Sequence, residues 1–288
     1  MTDTGETEAL RTPERQVSVV RFLGEEGTMR HPAEQDSPIA VVDRIASIVN
    51  CVAADDAPVS ISEVARRTGL PKSTTSRIVN SLLPHGLLEM EDDGLVLGLR
   101  FFELGEVASR PRNLRRLTHA HLERLRHATG QTVHLAVLDG AHVVYIEIRR
   151  SRRIPHLPSR VGGRLPAHAT GVGKVLLAHS PPSVAEALID SGLERVGPCT
   201  IVDGDRLRAE LWRVRSQGVA IEREESGEGV ACVAAPIMVR GGEEPIAALS
   251  VSGALAEMDL EACERRLRET VTALNAQAAR LPSSWRML

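Results

Sequence analysis

The chain has 288 residues, more than a single domain usually needs, and 42% of them are hydrophobic, enough for real cores, so two domains and a tail are expected. A formal charge of -3 gives no overall footprint for nucleic acid, so any DNA contact must come from a local basic face. Cys51, Cys199, Cys232 and Cys263 lie far apart, with no CxxC pair, no signal peptide and no long apolar run, which argues against a metal centre, a disulfide framework or a membrane span and for a cytoplasmic protein with reduced thiols.

Residues 1 to 38 mix Glu, Thr, Arg, Pro and Asp with one short apolar patch, Val17 to Leu23, and are expected to stay disordered because they cannot offset ordering entropy. From Ile39 the pattern changes. Ile39, Val42, Ile45, Ala46, Val49 and Val52 recur at helical spacing, and the helix should end in the loop from Ala53 to Pro58. Ser60 can cap a second helix that carries Val64 and Ala65 inward, and Gly69 can close it. A third helix starts at Lys72, with Ile78, Val79, Leu82 and Leu83 on one face, and is stopped by Pro84 and Gly86. Leu87 to Met90 and Leu95 to Leu97 then flank Asp92-Asp93-Gly94, a small hairpin. Three helices and a hairpin in this order predict a winged helix-turn-helix over residues 39–98.

Between Ser62 and Gly86, Arg66, Arg67, Lys72 and Arg77 face Glu63 alone, a local net charge of +3 in an acidic protein. Recognition helices read base edges with their first residues, where small hydroxyls permit close approach and cations meet phosphate or guanine. Lys72, Ser73, Thr74, Thr75 and Arg77 fit those roles. The same Ser-Thr-Thr run can also simply start an ordinary helix after a Leu-Pro turn.

Residues 99 to about 128 are helical, with a break expected near Pro111; residues 99–116 are taken as a linker helix and 117–288 as the second domain. There Val133 to Leu138 and Val143 to Ile148 flank Asp139-Gly140-Ala141-His142, a hairpin. Helices are expected at Gly171 to His179, Ser183 to Ser191 and Asp205 to Gln217. A second strand pair, Val230 to Val239 and Ile246 to Ser252, is joined by a Gly241-Gly242 turn. Asp259 can cap a closing helix with Leu260, Leu267, Val271, Leu274 and Leu281 on one face. Hairpins and helices that segregate in this way predict an α+β domain rather than a parallel sheet.

Three motifs resemble the IclR family of transcription regulators, over residues 39 to about 281. Ser62 to Thr74 resembles its recognition segment, Leu165-Pro166-Ala167-His168-Ala169-Thr170-Gly171-Val172-Gly173-Lys174 its sensor signature, and Gly229 to Pro236 with Ser250 to Gly253 its terminal strands. The resemblance implies a GAF-like or profilin-like effector domain, homodimers or homotetramers, double-stranded operator DNA as partner, and small organic acids or aromatic compounds as effectors. It adds Ser62 to the DNA-facing residues. It also implies that Gly171, Val172, Cys232, Ser250 and Ser252 hold an effector, with Glu222 where the family usually has an aspartate. Family wings are commonly basic, whereas Glu89, Glu91, Asp92 and Asp93 make this one acidic.

Gly171 to Lys174 exposes backbone N–H groups where a helix begins, which favours an anion, although the same glycines can simply let a helix start pack tightly on a sheet. It is not a phosphate loop, since His168 replaces the first glycine and Val175 the hydroxyl that would hold magnesium, and no cofactor is expected. Two rival readings remain: a DNA binder with a vestigial sensor, and an enzyme built on His134, His168, Ser250 and Glu222. The second lacks any GxSxG or HExxH motif.

Overall fold

Capping and apolar spacing produce the helices of the first half where the pattern places them. The computed structural model describes residues 38–55, 57–92, 94–151, 157, 159–238 and 244–279. The tail reading over 1–37, Asp93, the Gly241-Gly242 turn and Leu281 lie outside the described residues. The chain divides into two compact units at Phe101 and Phe102.

In the first unit, α1 (Pro38–Ala53), α2 (Ile61–Thr68) and α3 (Lys72–Leu82) precede the antiparallel strands β1 (Leu88–Glu91) and β2 (Gly94–Leu97). The Ser60 hydroxyl accepts from the Glu63 amide at 3.2 Å, and Gly69 closes α2 at φ 70°, a conformation that penalises any Cβ. Ile48, Val52, Val64, Val79, Leu82, Leu88 and Leu95 form one core. That core fixes which face of α3 remains outside. The last helix to begin in this unit, α4 (Leu99–Val107), follows the hairpin directly.

The second unit takes in the rest of α4 from Phe102 and continues with α5 (Ser109–Thr129). The helical break falls at Ala108 rather than at Pro111, because Pro111 occupies the first turn of α5, where its missing N–H has no intrahelical partner to lose. The hairpin β3 (Thr132–Asp139) and β4 (His142–Arg149) follows, then β5 (Arg164–Pro166), α6 (Gly171–His179), α7 (Pro182–Asp190), α8 (Gly204–Gln217), β6 (Ala220–Arg223), β7 (Val230–Met238), β8 (Pro245–Ala254) and α9 (Leu260–Ala278). The strands form one antiparallel sheet in the order β5-β4-β3-β8-β7-β6.

Period-two alternation divides this sheet into two chemically different faces. Val133, Leu135, Val233, Ala235, Leu249 and Val251 pack with Leu117, Leu122 and Leu125 of α5 and Leu267 and Leu274 of α9. Ala136, Cys232, Ala234 and Ala248 turn the other way, against Val172, Val175 and Leu176 of α6, with Leu207 and Leu211 of α8 in the same cluster. The architecture is α+β. Among the described residues no helix is long and apolar enough to cross a membrane.

Candidate functional site

Two sets of residues carry the expected chemistry, one in each unit. On the first, burial of Val79 and Leu82 leaves Lys72, Ser73 and Arg77 exposed at the leading edge of α3, with Thr74 half-buried beside them. Ser62 is exposed on α2. Thr75 departs from the expectation: it is fully buried, and its hydroxyl donates to the Pro71 carbonyl at 3.2 Å, closing the first turn of α3 instead of facing outward. The local positive charge is also narrower than the sequence count. Arg66 donates to Glu63 at 2.5 Å, and Arg67 donates to both Glu63 and Asp55. These contacts hold the Glu63 carboxyl at about 2 and leave Lys72 and Arg77 without an acidic partner among the described residues. One acidic wing residue has an internal task, since Glu89 Oε1 accepts from the Leu99 amide at 2.9 Å and so satisfies the first donor of α4.

On the second unit, strand register assembles the pocket. Glu222, Cys232, Ser252 and Thr132 are paired in sequence across β6, β7, β8 and β3, and the next row of the same face holds Ala234, Ser250 and His134. The start of α6 lies over these rows. A Cβ on Gly171 would sit 2.9 Å from Cys232 Sγ, and one on Gly173 would sit 2.1 Å from the Ala167 carbonyl, so both glycines are needed for this close approach. The Thr170 hydroxyl accepts from the Gly173 amide at 3.1 Å, leaving the Gly171 and Val172 amides as the uncapped donors of the first turn.

All six residues expected from the resemblance, Gly171, Val172, Glu222, Cys232, Ser250 and Ser252, line one cavity. It spans about 340 Å³ including its open mouth, yet the centre of a water-sized sphere fits in only about 20 Å³ of it. That is room for little more than one water. Burial pushes the Cys232 thiol up to about 12, so it is an inert small side chain rather than a nucleophile. Burial also raises Glu222, whose Oε1 nevertheless accepts from the amides of Glu225 at 2.7 Å and Ser226 at 2.9 Å.

His134 belongs to the same wall and was foreseen only in the enzyme reading. Its Nε2 bonds Ser159 Oγ at 2.8 Å, its Nδ1 lies 3.4 Å from the hydroxyls of Ser250 and Ser252, and its ring centre is 5.2 Å from that of Tyr145. Burial holds the imidazole near 3, too low for a general base at neutral pH. His168 lies elsewhere, with Nε2 against the Glu194 carbonyl at 2.9 Å. Three members of the imagined catalytic set, His134, Ser250 and Glu222, thus share the cavity, but His168 does not line it and His134 cannot serve as the base.

The feature that sequence reasoning missed is Lys174. It is completely buried, and its Nζ donates to Glu225 Oε1 at 2.5 Å, Glu210 Oε1 at 3.1 Å and the Ile221 carbonyl at 3.4 Å. Glu210 has a second cation, Arg213, at 2.7 Å. This ion pair links α6 to the turn after β6 that carries Ser226 into the cavity. No single segment announces it, because the partners are 36 and 51 positions away.

Residues 41–92 match the family described as IclR helix-turn-helix domain, and residues 107–281 match Bacterial transcriptional regulator IclR C-terminal. The chain belongs to the IclR family. It is thus a DNA-binding transcriptional regulator and not an enzyme. This IclR-family chain is 33% identical over 224 residues to the HTH-type transcriptional regulator XynR of Escherichia coli K12, covering 77% of this chain and 88% of that protein. It is 30% identical over 256 residues to the acetate operon repressor of Salmonella typhimurium, covering 86% and 90%. Among solved structures, an IclR homologue from Microbacterium hydrocarbonoxydans complexed with 4-hydroxybenzoate has a TM-score of 0.75 at 31% identity, covering 82% of this chain and 98% of that one.

Proposed function

We propose that this regulator is a cytoplasmic repressor, working as a homodimer or homotetramer, whose hold on operator DNA is set by a small organic acid or aromatic compound bound at the start of α6. The observation that carries this reading is the cavity in which the uncapped Gly171 and Val172 amides meet the hydroxyls of Ser250 and Ser252. Helix-start amides suit a carboxylate, and paired hydroxyls orient it. The name of one relative, a homologue complexed with 4-hydroxybenzoate, agrees with that chemistry. In this reading Lys72, Ser73, Thr74 and Arg77 of each protomer, with Ser62 beside them, enter successive major grooves of a roughly palindromic site.

The test is to select bound genomic fragments and titrate acids into the complex. An acid that releases the wild type from its fragment should leave Ser252→Leu bound, because the larger side chain fills the lumen; release of that variant at the wild-type concentration removes Ser252 from the site. The tightness of the lumen favours a second reading, a constitutive DNA binder whose sensor no longer opens. Failure of every acid to raise thermal stability selects it, since a ligand that binds only the native state must raise it.

A further inference from the structure

The first half of α5 is far more basic than its surroundings. Residues 109–119 contain Arg110, Arg112, Arg115 and Arg116 and no Asp or Glu. The buried Leu114 and Leu117 turn one side of this helix into the core, so Arg112 and Arg116, one helical turn apart, share the exposed side. Elsewhere on the helices of this unit several arginines have a carboxylate a turn away, Arg126 with Glu123, Arg208 with Asp205, Arg213 with Glu210 and Arg268 with Glu264, while Arg206 and Arg265 stand singly; among the described residues only the start of α5 sets two such arginines one turn apart on a stretch without Asp or Glu. Arg115 reaches Glu106 at 3.9 Å and the Ile146 carbonyl at 3.0 Å, but Arg112 and Arg116 have no acidic partner among the described residues. The helix start adds its own positive dipole end to theirs.

We infer that Arg112 and Arg116 contact the phosphate backbone of duplex DNA, giving the regulator a second, sequence-independent grip outside the helix-turn-helix. The inference rests on the DNA-binding reading above and extends it to the other unit. Charge complementarity selects the occupant. A second copy meeting this face through a two-fold axis would bring like charges together, whereas a duplex offers a phosphate about every 1.7 Å of its axis.

The test uses the full chain and a labelled pool of random-sequence duplexes, about 40 base pairs long, so that no operator need be known. Anisotropy titrations at several salt concentrations give the slope of log affinity against log salt. Arg112→Gln with Arg116→Gln should make that slope shallower by about 1.8 for each protomer bound, so the affinity ratio between about 50 and 200 mM salt shrinks about 12-fold per protomer, about 150-fold for a dimer. Arg112→Lys with Arg116→Lys should keep the wild-type slope. Both residues are exposed, and an unchanged melting temperature checks that the variants fold. A glutamine pair with the wild-type slope overturns the proposal, as does a slope change matched by a change in sedimenting mass without DNA, which would assign the face to contacts between copies. Wild type that fails to bind at any salt concentration would instead overturn the DNA-binding reading itself.

Discussion

Replacing Lys174 with methionine isolates the buried charge beneath the cavity. Methionine keeps most of the stem's volume, so what disappears is the ammonium that contacts Glu225 at 2.5 Å and Glu210 at 3.1 Å. The two carboxylates do not suffer equally. Glu210 retains Arg213, while Glu225 is only 8% exposed and its Oε2 already lacks a hydrogen-bond partner among the described residues. Removing one member of a buried pair costs about 3–5 kcal/mol, mostly through the stranded charge. For a unit of this size each kcal/mol lowers the melting temperature by about 2–4 °C, so a drop of roughly 6–20 °C is expected in circular dichroism melts at neutral pH. The loss should shrink in acid, because burial raises the Glu225 carboxyl even with Lys174 opposing it, and a stranded carboxylate takes up its proton more readily still. Adding Glu225→Gln removes that charge and should recover most of the stability. A single variant that loses less than about 1 kcal/mol, or a double variant no more stable than the single, would refute the assignment of Lys174 as an essential countercharge.

Other outcomes follow from the same geometry. Arg77→Ala should weaken operator binding far more than Asp92→Ala, by about 1–3 kcal/mol if it reads guanine, and equal losses in a mobility-shift titration count against the α3 assignment. His134 is held near 3 when folded, against about 6.5 in the unfolded chain, so the unfolded state protonates first as pH falls. Stability should therefore drop by up to about 1.4 kcal/mol per pH unit between about pH 6.5 and 3. His134→Asn should flatten that limb of the urea-derived stability curve, and a variant keeping the wild-type limb would show that the imidazole is not shielded.

The sequence made local features legible and left cross-chain ones obscure. Ser60, Gly69 and the spacing of Val64, Val79 and Leu82 located α2 and α3 because caps and helical periodicity act within a turn or two. The β3–β4 hairpin was visible in its turn residues. By contrast β5, three residues ending in Pro166, and β6, the four residues Ala220–Arg223, are too short to show alternation. Yet β6 delivers Glu222 to the cavity, a position reached only through family resemblance. Counting charge between Ser62 and Gly86 included Arg66 and Arg67, whose carboxylate partners absorb them. Reading Thr75 with its neighbours overlooked that it lies one helical turn before Val79 and so shares the buried face of α3. The burial of Lys174 was invisible because lysine is ordinarily a surface residue and its partners are distant in sequence.

The alternation of β3, β7 and β8 separates two demands that most cavities force together. On one pleat Val133, Val233 and Val251 hold the scaffold to α5 and α9; on the other His134, Cys232 and Ser252 line the cavity beneath α6. Selection can therefore redraw chemical preference, one position at a time, on a template whose mechanical integrity is written on the opposite surface. A lineage of such proteins can diversify what it senses while inheriting an unaltered frame.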